Sequence, residues 1–250
     1  MILKHLGHNS SKEHGFTLVE LLVAMAITAV VMAAVYTLYK TQQESYIAQD
    51  QVVEMQQNVR ASLYQMARDM RMAGFNPQRA PNVGGFVTQL PDDGGGTTTT
   101  NSTNIALTID KDSNDVSNGV IDIDDDDEQI AYRLDNNRLE KFRVSDDTWQ
   151  TVADNISAVD FVYLDLNGTD ITASVIANPT TQYATTNLPY IDSIRSIEMS
   201  IVARTGRIDK SFPGTPEYFN QQGDSILAAL SDNYRKRLIT TTIFCRNLGL

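Results

Sequence analysis

The chain has 250 residues and carries 31 acidic against 20 basic side chains, which gives a formal net charge of −11. This acidity argues against nucleic-acid binding, because proteins that bind nucleic acids use clustered lysine and arginine side chains. The sequence contains one cysteine, Cys245, so an intrachain disulfide is excluded.

The first element is an apolar run long enough to cross a membrane. No charged residue occurs from Leu21 to Tyr39, and a helix over residues 16–39 would be about 36 Å long against about 30 Å for a bilayer core. An ordinary secretory signal is cut after a shorter apolar stretch, whereas the small residue Gly15 precedes this run. We therefore expect residues 1–15 to be a cleaved leader and residues 16–40 to remain as the membrane-spanning half of a long helix.

The charges around the run predict its orientation. Lys4 and Lys12 precede the run, and the acidic remainder of the chain follows it. Because cytoplasmic segments carry an excess of positive charge, residues 1–15 are expected in the cytoplasm and the rest of the chain outside.

Glu20 is an anomaly, because it places a carboxylate at the start of the apolar run. A carboxylate at the beginning of a span costs on the order of 2 to 3 kcal/mol on insertion scales, and less near the interface. One interpretation is an interfacial acid that reaches water at the end of a signal anchor. The other is a carboxylate that has a compensating partner or task.

The start of the chain resembles the prepilin motif of type IV pilins and type II secretion pseudopilins: Gly15, then Phe16-Thr17-Leu18-Val19-Glu20, then the uncharged run. The resemblance implies that a membrane aspartyl prepilin peptidase cuts between Gly15 and Phe16 and methylates the new amino group of Phe16. It also implies that Glu20 faces the Phe16 amine of a neighbouring subunit in a helical fibre. A buried cation and a buried carboxylate each need the other, so such a pair would enforce the docking register.

Cleavage of the leader would also change the chemistry that the chain offers. All three histidines lie in the leader. The leader also holds two lysines and one glutamate, a net charge of +1, so its loss would change the formal charge from −11 to −12. The mature chain would then lack histidine-dependent catalytic triads and histidine metal sites. We therefore expect a protein that is not an enzyme, although a site of carboxylates or lysine alone stays formally possible. Cys245 is expected to pack as a small apolar residue.

The helix is expected to continue beyond the membrane as an outer half over residues 41–74. Apolar residues recur there at steps of three and four, the spacing of one helical face, and no Pro or Gly interrupts residues 16–73. Gly74 and Pro77 would end the helix. This face could form the core of a globular head or pack against neighbouring pilin helices. It consists of Val52, Met55, Val59, Leu63, Met66, Met70 and Ala73.

Two groups of basic residues are typical of solvated surfaces. On the outer half of the helix, arginines interleave with acids, which indicates a solvated face and not a binding patch. At the start of the last predicted strand, Arg235-Lys236-Arg237 is expected to be a solvated edge, with contact to an acidic partner subunit as the alternative. The charged residues meant on the outer half of the helix are Arg60, Arg68, Arg71, Glu54 and Asp69.

After the helix the pattern changes to strands and loops. Residues 75–103 are rich in Pro, Gly and Thr and predict a flexible connector with little burial. Residues 104–250 are expected to form a β-rich globular head, and Asp135-Asn136-Asn137 between two strand patterns suggests a hairpin. We therefore predict an α+β, type IV pilin-like fold, with the long N-terminal helix packed on a C-terminal antiparallel sheet. Strands are expected at 104–109, 129–134, 138–144, 157–164, 194–204 and 238–246.

The segment from Asp110 to Glu128 concentrates the negative charge. It holds nine acids and one base, Lys111, and so carries −8 of the −12 expected after cleavage. Bunched carboxylates and amides suit Ca²⁺, which takes about six to eight oxygen ligands, but the spacing does not match an EF-hand. A solvated acidic loop is the alternative. The candidate calcium ligands are Asp110, Asp112, Asn114, Asn118, Asp122, Asp124, Asp126 and Glu128, and no other cofactor is expected.

A looser resemblance touches most of the remaining chain. The chain is similar to the PilW group of minor pilins in the helix end Met72-Ala73-Gly74-Phe75, in Glu128-Gln129-Ile130-Ala131-Tyr132-Arg133, in Asn155-Ile156-Ser157-Ala158-Val159 and in the ending Thr240-Thr241-Thr242-Ile243-Phe244-Cys245-Arg246-Asn247-Leu248. This resemblance implies a low-abundance structural subunit of the complex that starts type IV pilus assembly, with the filament tip as one place for it.

The resemblances also imply a location and a set of partners. The expected location is the bacterial inner membrane, with a single pass and the head outside the cytoplasm, and later the pilus filament. The expected partners are other major and minor pilins, prepilin peptidase, the inner-membrane assembly platform and membrane lipid. Two alternatives stay open: a minor pseudopilin of type II secretion, which has the same N-terminal physics, and a membrane-anchored, calcium-dependent adhesin.

Overall fold

The computed structural model describes residues 15–77, 85–87, 89–91, 97–110, 128–143, 148–177 and 193–248. The chain forms two compact units, residues 1–49 and residues 50–250. The first unit contains the beginning of a long helix. The second unit contains the remainder of that helix and the strands.

Helix α1 extends from Leu18 to Met72 and contains 55 residues. It is continuous because neither Pro nor Gly occurs between residues 16 and 73. Within the first unit its large apolar side chains are exposed. Within the second unit one face of the helix is buried, as the spacing of its apolar residues predicts. The buried apolar residues of α1 are Met55, Val59, Met66, Ala67 and Met70.

The strands of the second unit form antiparallel sheets. Among the described residues, one sheet has five strands in the order β1-β4-β5-β6-β7 and a second has three in the order β12-β9-β8, and β2-β3 and β10-β11 form two further strand pairs. The bounds are β1 (Gly85–Val87), β2 (Gln89–Pro91), β3 (Thr97–Thr99), β4 (Ile105–Thr108), β5 (Gln129–Asp135), β6 (Arg138–Arg143), β7 (Thr148–Asp154), β8 (Ile156–Leu164), the short helix α2 (Thr172–Ala177), β9 (Ser196–Arg204), β10 (Tyr218–Phe219), β11 (Ser225–Leu227) and β12 (Lys236–Phe244).

One hydrophobic core joins α1 to both larger sheets. The core cluster includes the buried face of α1, the inward side chains of β4 and β5, and those of β8, β9 and β12. Tyr132, Phe161 and Tyr163 are its largest members with no measurable exposure. Burial of such side chains stabilises a fold by about 1.5 to 3 kcal/mol each. The predicted α+β architecture, a long helix packed on antiparallel sheet, is therefore confirmed.

The predicted hairpin at residues 135–137 is also present. Asp135 pairs with Arg138 at the end of β5 and the start of β6, and the two residues between them, Asn136 and Asn137, have φ angles of 46° and 61°. Positive φ at both central positions is the geometry of a type I′ turn, which asparagine tolerates better than most residues.

The prediction of a flexible connector over residues 75–103 is wrong for part of that segment. Gly85–Val87 forms β1 and pairs with β4, and Phe86 and Val87 are 1% and 5% exposed. The surrounding Pro and Gly residues are typical of loops. The prediction failed because Phe86 and Val87 are buried when this short segment pairs with β4. Strand β7 also escaped prediction, because its outer side chains are mostly exposed and give little apolar alternation.

The C-terminal end of α1 is fixed by the last residues of the chain. Gly74 has a φ of 74°, the left-handed conformation that often follows a helix, and its N–H donates to the Thr108 carbonyl at 3.1 Å. The Asn247 side-chain amide donates to the Arg71 carbonyl at 3.1 Å. A Cβ at Gly74 would lie 2.6 Å from Cδ2 of Leu248. Glycine at this position therefore meets both a backbone and a packing requirement.

We predict that Gly74→Ala destabilises the protein more than Gly168→Ala. Both glycines have φ near +75°, but a Cβ at Gly168 meets nothing within 4 Å, so the control carries only the backbone strain of about 1 kcal/mol. Chemical denaturation should give a loss for Gly74→Ala that exceeds the control by about 1 kcal/mol, the low end of overpacking costs, because the end of the Leu248 side chain must shift. Adding Leu248→Ala should remove most of that excess, and equal losses for both glycines would contradict the packing requirement.

Candidate docking surfaces

The helix begins at a reciprocal pair of side-chain contacts. The N–H of Glu20 donates to Oγ1 of Thr17 at 3.2 Å, and the N–H of Thr17 donates to Oε2 of Glu20 at 3.5 Å. A threonine followed three residues later by a glutamate forms a capping box, which satisfies backbone donors that a helix start leaves free. Sequence reasoning missed this arrangement, although the spacing of Thr17 and Glu20 is its signature.

Large apolar side chains on both sides of the capping box are exposed among the described residues of the first unit. Phe16 is 86% exposed and Leu18 is 74% exposed, and exposed Val, Leu, Met and Ile residues continue to Tyr39. In the part of the chain that the structure describes, α1 alone is long and apolar enough to cross a membrane; its most apolar window has a mean hydropathy of 2.5. An apolar surface of this size marks contact with a membrane or with other proteins.

The predicted packing face of the outer half lies against the core of the second unit. Met55, Val59, Met66 and Met70 are at most 6% exposed, while Val52 and Leu63 are partly buried against the same cluster. Ala73 is fully buried. This face therefore packs on the core of its own chain, and packing against a neighbouring helix stays a prediction for its partly buried members.

A polar contact within the core holds α1 to the five-stranded sheet. Oδ2 of Asp69 accepts hydrogen bonds from the Tyr132 hydroxyl at 2.6 Å and from Nζ of Lys141 at 2.7 Å. All three residues are less than 10% exposed. Sequence reasoning placed Asp69 on a solvated charged face and was wrong here, because a lysine and a tyrosine on neighbouring strands supply the partners that a buried carboxylate needs.

The structure describes two of the eight candidate calcium ligands. Asp110 and Glu128 flank the acidic segment and both are fully buried. The N–H of Asp110 donates to the Phe75 carbonyl, and the Glu128 carbonyl accepts from the N–H of Ile109. The other six lie outside the described residues, and no group of metal-binding side chains occurs among the residues that are described. Calcium binding stays a prediction of the sequence.

The two remaining sequence features have distinct environments. Cys245 is buried, and burial raises the pKa of its thiol to about 12, so the thiol stays protonated and unreactive near neutral pH.

At the last strand, Arg235 forms an ion pair of 2.7 Å with Asp209, and hydrogen bonds from Ser211 and Arg235 lower the pKa of Asp209 to about 2. Lys236 is bonded to Asp232, whereas Arg237 is exposed.

We predict that Asp69→Ala destabilises the protein by about 3 to 5 kcal/mol, because it leaves the Lys141 cation buried without its counter-charge. The double variant Asp69→Leu with Lys141→Met removes both charges and should recover most of that loss. Glu54→Ala is the control, since it removes an exposed acid from the same helix. Denaturation midpoints provide the measurement, and a double variant as unstable as Asp69→Ala would refute the pairing argument.

Two family models match the chain. Residues 10–36 match the prokaryotic N-terminal methylation motif, and residues 48–204, more than half of the chain, match prepilin peptidase-dependent protein B. Among solved structures, a type IV-like pilin from Thermus thermophilus is similar over 77% of this chain and 97% of its own, at 10% identity and a TM-score of 0.44. No curated protein matches the chain.

Proposed function

We propose that this chain, which belongs to the family of prepilin peptidase-dependent protein B, is a minor pilin that takes part in starting type IV pilus assembly. The proposal rests on the helix of the first unit. Its large apolar side chains are exposed, and its first turn contains one carboxylate, that of Glu20. The methylation motif over residues 10–36 supports the prediction that the chain is a structural protein and not an enzyme.

Processing after Gly15 would retain the part of the chain that this role needs. Cleavage between Gly15 and Phe16 by a prepilin peptidase would remove the leader and leave the whole of α1 on the mature protein. The new amine on Phe16, after methylation, would be a cation next to the exposed apolar surface. Residues 16–40 would then lie in the inner membrane, with the second unit outside the cytoplasm.

Glu20 has a weak partner in its own chain and would have a stronger one in a neighbouring subunit. Its carboxylate accepts from the Thr17 N–H at 3.5 Å, the long end of hydrogen-bond range. A hydrogen bond between a carboxylate and an ammonium is shorter and roughly twice as strong as a neutral one. In an apolar surround the Phe16 amine of a neighbour would therefore compete well for Glu20, and only the correctly placed neighbour could supply it.

A minor pseudopilin of type II secretion is the second candidate, because the motif at residues 10–36 fits it equally well. The size of the chain favours a minor subunit in either system, since a large head is tolerated better at the end of a fibre than at every position. The position of the genes beside pilus or secretion components separates the two candidates.

We predict that Glu20→Ala leaves the protein in the membrane but lowers its crosslinking to other pilins by at least about tenfold, since an unpaired buried cation costs more than the 1.4 kcal/mol that tenfold requires. Site-specific crosslinking at Val23 in cells provides the measurement. Thr17→Ala separates capping from docking: it removes the cap at a cost of about 1 kcal/mol but keeps the carboxylate.

The control for this experiment is Glu44→Ala, which removes an exposed acid from α1 that lies 4.0 Å from Lys40. Both Thr17→Ala and Glu44→Ala should crosslink like the native chain. Native crosslinking by Glu20→Ala would contradict the pairing role, and a loss in Thr17→Ala equal to that in Glu20→Ala would assign Glu20 to capping alone.

A further inference from the structure

The edges of the two larger sheets differ in how they are protected. In the described part of the chain, the edge strand β1 has three residues. The edge strand β7 has an irregular register, because Leu139 pairs with Ala153 and the next residue, Glu140, pairs with Thr151. Short edges and bulged edges resist the addition of another strand. By contrast, β12 pairs with β9 over nine residues in unbroken register.

The second edge of the three-stranded sheet, β8, is covered by other segments of the chain. The N–H of Phe161 donates to the Ser102 carbonyl at 2.7 Å, and the Tyr163 carbonyl accepts from the N–H of Ile171 at 2.9 Å. The N–H of Tyr163 donates to Oγ1 of Thr172 at 2.9 Å. These contacts use the outward N–H groups of Phe161 and Tyr163 and the Tyr163 carbonyl, so a further strand could not pair along this part of β8.

The hydrogen bonds at both ends of β12 identify its outward backbone groups. The N–H of Thr205 donates to the Arg235 carbonyl at 2.9 Å, and the N–H of Cys245 donates to the Arg195 carbonyl at 2.9 Å. Both pairs continue the β12–β9 register. Bonded and non-bonded pairs alternate in an antiparallel ladder, so the even-numbered residues turn their N–H and C=O groups away from β9. These residues are Lys236, Leu238, Thr240, Thr242 and Phe244.

Among the residues that the structure describes, no strand pairs with the outer side of β12, and a basic groove runs beside this open edge. It has a volume of about 290 Å³ and lies between α1 and the first half of β12. Two arginines line it, Arg60 from α1 and Arg237 from β12, together with Gln56. Both arginines are exposed, and neither forms an ion pair among the residues that the structure describes. Two cations without counter-charges would favour an acidic occupant.

We propose that the open edge of β12 accepts an extended, acidic segment of a partner protein as an added strand. Backbone groups of the segment would bond to the even-numbered residues of β12, as in other cases of strand addition. Ile239 packs on the core cluster and Ile243 is buried in it, so the odd-numbered side chains of β12 are on the α1 side. Alternate side chains of the segment would lie on that side, where carboxylates could reach Arg60 and Arg237.

The proposal concerns the second unit and is independent of Glu20 and of the choice between pilus and secretion system. Phe244 is 67% exposed at the far end of the same strand. An added strand would cover part of this ring, so the segment is expected to carry a β-branched or aromatic residue there.

The test uses the full-length chain in detergent micelles and a labelled peptide of about eight residues, the length of an ordinary strand. The peptide alternates threonine with glutamate, and a matched peptide carries lysine in place of glutamate. Fluorescence anisotropy should show binding of the glutamate peptide at least about tenfold tighter than that of the lysine peptide, as expected for direct contact with two arginines. Arg60→Glu with Arg237→Glu should abolish this preference, whereas Lys210→Glu, which changes an exposed cation elsewhere, should retain it.

A second pair of variants separates backbone pairing from surface charge. Thr242→Pro removes an outward N–H of β12 and should weaken binding of the glutamate peptide by about tenfold, while Thr242→Val keeps the backbone donor and should bind within about threefold of the native chain. Unchanged denaturation midpoints confirm that both variants fold. Equal binding of the two peptides, no binding at about 1 mM, or native binding by Thr242→Pro would each overturn the proposal.

Discussion

The structure depends on one feature of α1. This single uninterrupted helix has an exposed apolar surface in the first unit and a buried apolar face in the second unit. Up to Tyr39 its large apolar side chains are exposed in the first unit, and their transfer out of water is favourable by on the order of 20 kcal/mol in total. Glu20 opposes this transfer by only about 2 to 3 kcal/mol. The apolar surface therefore outweighs the carboxylate in the transfer of this part of the chain out of water.

The second unit binds its part of the helix by different means. A face of methionines, valine and alanine packs on the strands, Asp69 bonds to Lys141 and Tyr132, and the Leu248 side chain lies against Gly74. Apolar burial supplies most of the stability, while the ion pair and the glycine contact fix the rotation and the end point of the helix. The helix therefore belongs to the head as much as to the membrane anchor.

Sequence patterns predicted the features that depend on local chemistry. The uninterrupted helix, its apolar face, the Asn136-Asn137 turn and six of the strands follow from periodicity and from the conformations that glycine, proline and asparagine favour. The buried Asp69 could not be predicted, because Lys141 lies 72 residues further along the chain. The open edge of β12 could not be predicted either, since strand order is a property of the whole sheet. The burial of Phe86 depends in the same way on a partner strand, β4.

The central claim is that the N-terminal part of α1 is a retained membrane anchor, while its C-terminal part belongs to the head. The most direct test is the N-terminal residue and intact mass of the native protein, isolated from cells with active prepilin peptidase and from cells without it. The account predicts a chain that begins at methylated Phe16 and retains all of α1 in the first case, and a chain longer by the leader in the second. A native chain that begins after Tyr39, or that keeps its leader when the peptidase is active, would contradict the account.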